Sequence, residues 1–152
     1  MSSPSSGSSH RLLSCTDGLA AALNDLLLLV GRILIALLFL LTAWFGSPNA
    51  GYLTALGYPS PDFMSTLAIT VEYIIIVSLV LGLATRYGAL LGLLFVIIAV
   101  ATAHRYWTYP QAQQLVQYIF FTKDVAIAGG LVLLFATGAG RLSVDRLLAG
   151  KG

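Results

Sequence analysis

Residues 115–135 read LVQYIFFTKDVAIAGGLVLLF. At 1.5 Å per residue a helix of that length covers the ~30 Å of hydrocarbon in a bilayer. There is no period-two alternation, so a membrane strand is excluded. Yet Lys123 and Asp124 stand side by side in the middle of this apolar run. Hydrocarbon penalises each charge by roughly 2.5–3.5 kcal/mol on insertion scales. A chain that keeps both must pair them, use them, or do both.

Three further apolar segments have the same length and character, at about residues 26–45, 63–83 and 87–107. In lipid every backbone polar group must be satisfied within the segment, so all four are predicted to be helices. Two of them also hold charge: Arg32 in the first and Glu72 in the second. From rise per residue, Glu72 lies roughly 14 Å and Lys123 roughly 12 Å below one end of the bundle. Arg32 lies nearer the other end, and its long stem is expected to bring it to the level of Glu72. Two positive and two negative charges then sum to zero, as a buried network requires. His104 sits higher, one turn below Trp107, with Gln114 and Gln117 at the entrance to the fourth helix.

Composition agrees with a lipid solvent. Of 152 residues, 58% are hydrophobic and 9% charged, against about 25% charged in soluble domains. The net charge of +2 leaves no electrostatic footprint for nucleic acid. The single cysteine, Cys15, excludes an internal disulfide and a dithiol redox pair. Leu12-Leu13-Ser14-Cys15 faintly resembles a lipoprotein cleavage box, but no apolar stretch precedes it. Residues 1–22 are Ser-rich and polar and are expected to form a disordered tail. The fold class expected is therefore all-α: an integral membrane four-helix bundle spanning about residues 23–148, behind that tail.

Basic residues set the expected orientation. Arg11, Arg86, Arg141, Arg146 and Lys151 fall on one side and Arg105 on the other, which places both termini in the cytoplasm. Trp44, Tyr106, Trp107 and Tyr109 then gather at the opposite interface, as an aromatic belt does. Ala84-Thr85-Arg86 is so short a connection that helices two and three must form a tight antiparallel hairpin. The loop from Gly46 to Asp62 carries Pro48, Pro59 and Pro61, and its middle, 52–56, is expected at the headgroup interface. Gly88 and Gly92, with Ala99 at helical spacing, permit close helix approach, either within the bundle or between copies in a homo-oligomer.

The candidate site is a polar pocket in the outer half of the bundle, built from Arg32, Glu72, His104, Gln117, Lys123 and Asp124. The competing reading is a compensated charge network that fixes helix register and does nothing else. A lone His104 without a second histidine or cysteine nearby supports neither zinc nor haem. Nucleophilic triads, P-loops and dinucleotide fingerprints are absent; Gly138-Ala139-Gly140 reads as a helix stop.

Several blocks resemble the DoxX family of small four-helix bacterial membrane proteins. They are Gly31-Arg32-Ile33-Leu34, Gly57-Tyr58-Pro59, Glu72, Gly82-Leu83-Ala84-Thr85-Arg86, His104-Arg105-Tyr106-Trp107, residues 121–130 and residues 138–145. The resemblance implies a bacterial inner-membrane location and a link to quinone-coupled oxidoreduction with partner proteins. On that reading Lys123 donates to a quinone carbonyl and Glu72 or Asp124 handles the proton. A partner supplies the electrons, because no electron carrier is evident in the chain. Two other functions compete. One is a non-enzymatic scaffold that docks peripheral proteins through the Arg86 and Arg141–Lys151 face. The other is a proton or small-solute conductor, for which four helices leave little room.

Overall fold

The computed structural model describes residues 7–45 and 49–150. Six α-helices make up the fold, with no strand among the described residues: α1 (Gly7–Phe45), α2 (Ala50–Ala55), α3 (Pro61–Leu81), α4 (Thr85–Thr102), α5 (Gln111–Thr137) and α6 (Val144–Ala149). A 3₁₀ turn at Tyr106–Thr108 joins α4 to α5. Four stretches are long and apolar enough to cross a membrane: Leu23–Phe45, Pro61–Leu81, Thr85–Thr108 and Gln111–Thr137. Their outer faces carry exposed Leu34, Ile74, Ile98, Leu115 and Leu133, the arrangement expected where the solvent is hydrocarbon.

Two expectations about the boundaries change. The first span, Leu23–Phe45, matches the expected segment at about 26–45, but its helix extends back to Gly7, so residues 7–22 are helical where a disordered tail was expected. Residues 1–6 and the Cys15 side chain lie outside what is described. The physical reason is propagation: once α1 has nucleated, each further residue adds one hydrogen bond, and Leu19–Ala22 are strong helix formers. The middle of the first loop is also helical. Asn49 caps α2 by accepting from the Tyr52 N–H at 2.8 Å, and Leu53 is buried against α3.

The spans pack in a ring in the order α1, α3, α4, α5, with α5 closing back on α1. The core at mid-depth is apolar: Ala36, Phe39, Ile75, Leu79, Ala89, Val96, Leu131 and Leu134. Phe39 meets Phe95 edge-on at 6.1 Å. Gly92 lets Leu131 and Phe39 approach, since a Cβ there would lie 3.2 Å from Leu131. Gly88 faces Ser78 across the α3–α4 contact. This part of the small-residue stripe thus serves packing inside the bundle.

Arg32 does not rise to the level of Glu72. Its guanidinium lies against Gly82 at the α3–α4 turn, donates through Nη2 to the Leu142 carbonyl at 2.6 Å, and is 1% exposed. The reason is geometric: side chains on a helix tilt toward its N-terminus, and for α1 that direction leads to the hairpin end. The countercharge there is Asp145, which attracts Arg32. Asp145 accepts the Ala84 and Thr85 N–H groups at 2.7 and 3.0 Å, so it caps α4 at the positive end of its dipole. Its own N–H donates to the Gly82 carbonyl at 2.9 Å. Asp25 takes the Arg141 N–H at 2.8 Å. These contacts form a latch that binds α1, the α3–α4 hairpin and the chain after α5 at one end.

Gly82 has φ +64°, and a Cβ there would run into Arg32 Nη1. Gly82→Ala is therefore expected to cost at least about 1–2 kcal/mol from the left-handed backbone alone, with added loss from displacing Arg32. Gly129→Ala, where the space is open, is the control. Thermal unfolding in detergent compares them, and equal unfolding temperatures would contradict this packing.

Burial pushes the Asp145 carboxyl up, but the Thr85 and Ala84 N–H donors and the Arg32 charge hold it below the usual carboxylate range. A lowered folded value means stability that is complete above about pH 4 and lost as pH falls through that value. The gap in unfolding temperature between wild type and Asp145→Ala should shrink from about pH 6 to about pH 3. A gap that widens would reverse the sign and remove Asp145 from the latch.

Candidate functional site

At the opposite end, α5 presents Gln117, Phe120 and Asp124 at helical spacing, so all three share one face. His104 reaches that face because α4 stops at Thr102 and the chain folds back. The His104 N–H still bonds the Ala99 carbonyl at 3.1 Å. The Tyr109 hydroxyl donates to the Ala103 carbonyl at 2.8 Å, and Gln114 Nε2 donates to the Tyr109 carbonyl at 3.0 Å. These bonds hold the connection so that the imidazole lies beside Phe120, with ring centres 5.2 Å apart.

His104 Nδ1 is 3.1 Å from Gln117 Oε1. With that oxygen accepting, Nδ1 carries a proton and Nε2 points at Asp124, 3.8 Å from Oδ2. A neutral ring presents a lone pair there and a cationic ring a second N–H. Lys123 Nζ is 3.7 Å from Asp124 Oδ1 and 5.2 Å from the Phe120 ring centre. The Asp124 side chain is 8% exposed, those of His104 and Lys123 21% and 36%. Asp124 Oδ2 has no hydrogen-bond partner among the described residues. A buried carboxylate therefore lies between two cationic or protonatable groups, each just beyond hydrogen-bond reach. Tyr106, Trp107, Tyr118 and Phe121 form an edge-on aromatic cluster beside it.

Glu72 takes a different contact. It is 2% exposed, and Thr42 on α1 lies with its hydroxyl 3.0 Å from Oε1. The same hydroxyl is 2.9 Å from the Phe39 carbonyl, so its one proton serves one of the two at a time. Arg32 and Thr42 stand ten residues apart on α1, as do Glu72 on α3 and Gly82 that caps it; Arg32 and Glu72 are thus separated by about 15 Å of depth. Of the six residues expected to form one pocket, His104, Gln117, Lys123 and Asp124 come together. Arg32 belongs to the latch, and Glu72 meets α1. Asp145 and Thr42 were missed. Asp145 follows the last span, where charge carries no burial signal, and Thr42 is one hydroxyl in an apolar run. Ser143-Val144-Asp145, a capping pattern after the glycines, was the available sign for the first.

The fold and its two polar ends define a small four-span membrane protein with buried ionic groups at both ends. The chain belongs to the SURF4 family, whose profile matches residues 17–148. It is similar to Inner membrane protein YphA of Escherichia coli K12, at 33% identity over 132 residues covering 82% of this chain and 92% of YphA. It is likewise similar to Inner membrane protein YqjF of that strain, at 34% over 133 residues covering 85% and 97%. No solved structure matches it. The resemblance to the DoxX family is corrected by this assignment. Its blocks were glycine turns, aromatic helix ends and intramembrane charges, which any compact four-span bundle needs and which therefore discriminate families poorly.

Thr42→Val keeps the side-chain volume and removes the donor to Glu72. It is expected to cost about 0.5–1.5 kcal/mol, the net contribution of one hydrogen bond. Thermal unfolding measures it, and a neutral result would mean that the hydroxyl serves Phe39 alone.

Proposed function

We propose that this protein binds a small lipid-soluble molecule of the quinone class at the His104–Gln117–Lys123–Asp124 cluster, as the membrane subunit of a redox system. The observation that carries this reading is the buried Asp124 Oδ2, unpartnered among the described residues and flanked by His104 and Lys123 at 3.8 and 3.7 Å from the carboxylate oxygens. Lys123 and protonated His104 donate to a carbonyl of the quinone form, and a hydroxyl of the quinol form donates to that oxygen. Phe120, on the same face of α5, is exposed, and such a ligand dissolves in the lipid phase. Reducing a quinone to a quinol takes two electrons, supplied by a partner protein, and two protons. His104 and Asp124 are the relay for the protons. The count of basic residues near helix ends supports a cell inner membrane location with both termini cytoplasmic, and the relatives' names agree on that membrane.

A second reading has its own observation. Arg86, Arg141 and Arg146 are exposed at the latch end, a face on which a peripheral redox or stress protein could dock, with the bundle as its anchor. Titration with a soluble ubiquinone analogue, followed by quenching of Trp107 fluorescence, separates the two. Asp124→Asn and His104→Ala are expected to weaken binding about tenfold, the scale of a charge-assisted hydrogen bond. Arg141→Gln should leave affinity unchanged. Equal affinities throughout would remove the cluster as the ligand site and leave the scaffold.

A further inference from the structure

The latch end holds two volumes that the cluster at the other end does not use. A cavity of about 390 Å³ lies between the α3–α4 turn and the chain after α5, with Thr85, Arg86, Gly138, Ser143, Asp145 and Arg146 in its walls. An apolar groove of about 630 Å³ runs along the lipid face between α3 and α4, walled by Tyr73, Ile74, Val77, Gly88 and Leu91. Ala84 and Tyr87 belong to both walls. The two volumes therefore adjoin at these residues, with charged side chains at the bundle's end and apolar ones along the span.

We propose that this composite site holds one anionic phospholipid, with its phosphate between Arg86 and Arg146 and an acyl chain along the α3–α4 groove. Arg86 and Arg146 line the cavity with a single carboxylate, Asp145, both of whose oxygens are already turned to the Ala84 and Thr85 N–H groups. Arg86 uses Nη2 in a 3.3 Å bond to the Ala136 carbonyl. A guanidinium has five donors and meets phosphate in a fork. Tyr87, 79% exposed at the junction of head and tail volumes, is the amphipathic ring expected at headgroup depth. Leu142, Leu147 and Leu148 are exposed around the short α6, which places this segment on the membrane surface. A free phosphate uses the cavity alone. A zwitterionic lipid cancels its own charge. Only an anionic amphiphile matches both volumes.

Native mass spectrometry of the full chain in mild detergent tests this with phosphatidylglycerol, phosphatidylcholine and inorganic phosphate. One phosphatidylglycerol should be retained in preference to phosphatidylcholine. Arg86→Gln and Arg146→Gln should each weaken its retention roughly fivefold, and Arg86→Lys should restore most of it. Val77→Trp, which fills the groove, should weaken it as well. Arg146 is exposed on α6, so its variant keeps the fold and keeps the test valid. Equal retention of the two lipids overturns the proposal. So does competition by inorganic phosphate with Val77→Trp neutral, which would assign the cavity to a free anion.

Discussion

A guanidinium that cannot lose its charge is enclosed by protein at the hairpin end, and the architecture there is arranged around it. Arg32 is almost wholly buried, and of its donors Nη2 reaches the Leu142 carbonyl. Breaking a buried charge contact is costly because it leaves the remaining charge uncompensated. The chain after α5 must therefore return to the bundle instead of trailing away. Asp145 brings it back, and in doing so caps α4 and bonds Gly82. Four spans and one short helix are thus tied by a group near the start of the first span.

Lipid makes such ties more important than they are in water. Apolar side chains gain little by leaving hydrocarbon for a bundle core, so packing fit and polar contacts decide the helix arrangement. Here the fit is supplied at mid-depth by Gly92 under Leu131 and Phe39. Register is supplied by polar contacts on either side of that layer. Arg32 against Gly82 and Thr42 against Glu72 have the same ten-residue spacing on antiparallel helices, so the two contacts reinforce one alignment of α1 on α3. The His104–Asp124 contact joins the end of α4 to α5 at a looser 3.8 Å, and the Lys123–Asp124 contact lies within α5. The hairpin end is tied by more contacts, although Arg32 Nε and Nη1 and Thr85 Oγ1 have no hydrogen-bond partner among the described residues, and the other end leaves Asp124 Oδ2 unpartnered.

The number of spans, their helical type and the tight hairpin were readable from the sequence because each follows from a length, a period or a three-residue connection. So was the meeting of His104, Gln117, Lys123 and Asp124, since three of them lie on one helix and the fourth ends its neighbour. Arg32 was misplaced because rise per residue gives the depth of a Cα and not the direction of a six-atom side chain. Asp145 escaped because its partner lies 113 positions earlier in the chain and no local pattern links them. The helical character of residues 7–22 was hidden by their serine content, although Leu19–Ala22 at their end favour the helix. Family membership was obscured for a related reason: the motifs that stood out are those the bilayer demands of any small bundle.

The central claim is that the intramembrane charges divide between two ends, with Arg32 serving Asp145 and not Glu72. A double-mutant cycle on unfolding free energy measures this directly, pairing Arg32→Met with Asp145→Asn and, separately, with Glu72→Gln. Residues in one network couple by about 0.5–3 kcal/mol and distant ones by less than about 0.5. The account predicts coupling in the upper part of that range between Arg32 and Asp145 and none beyond error between Arg32 and Glu72. Strong coupling of Arg32 to Glu72 with none to Asp145 would restore a single buried network and contradict the division.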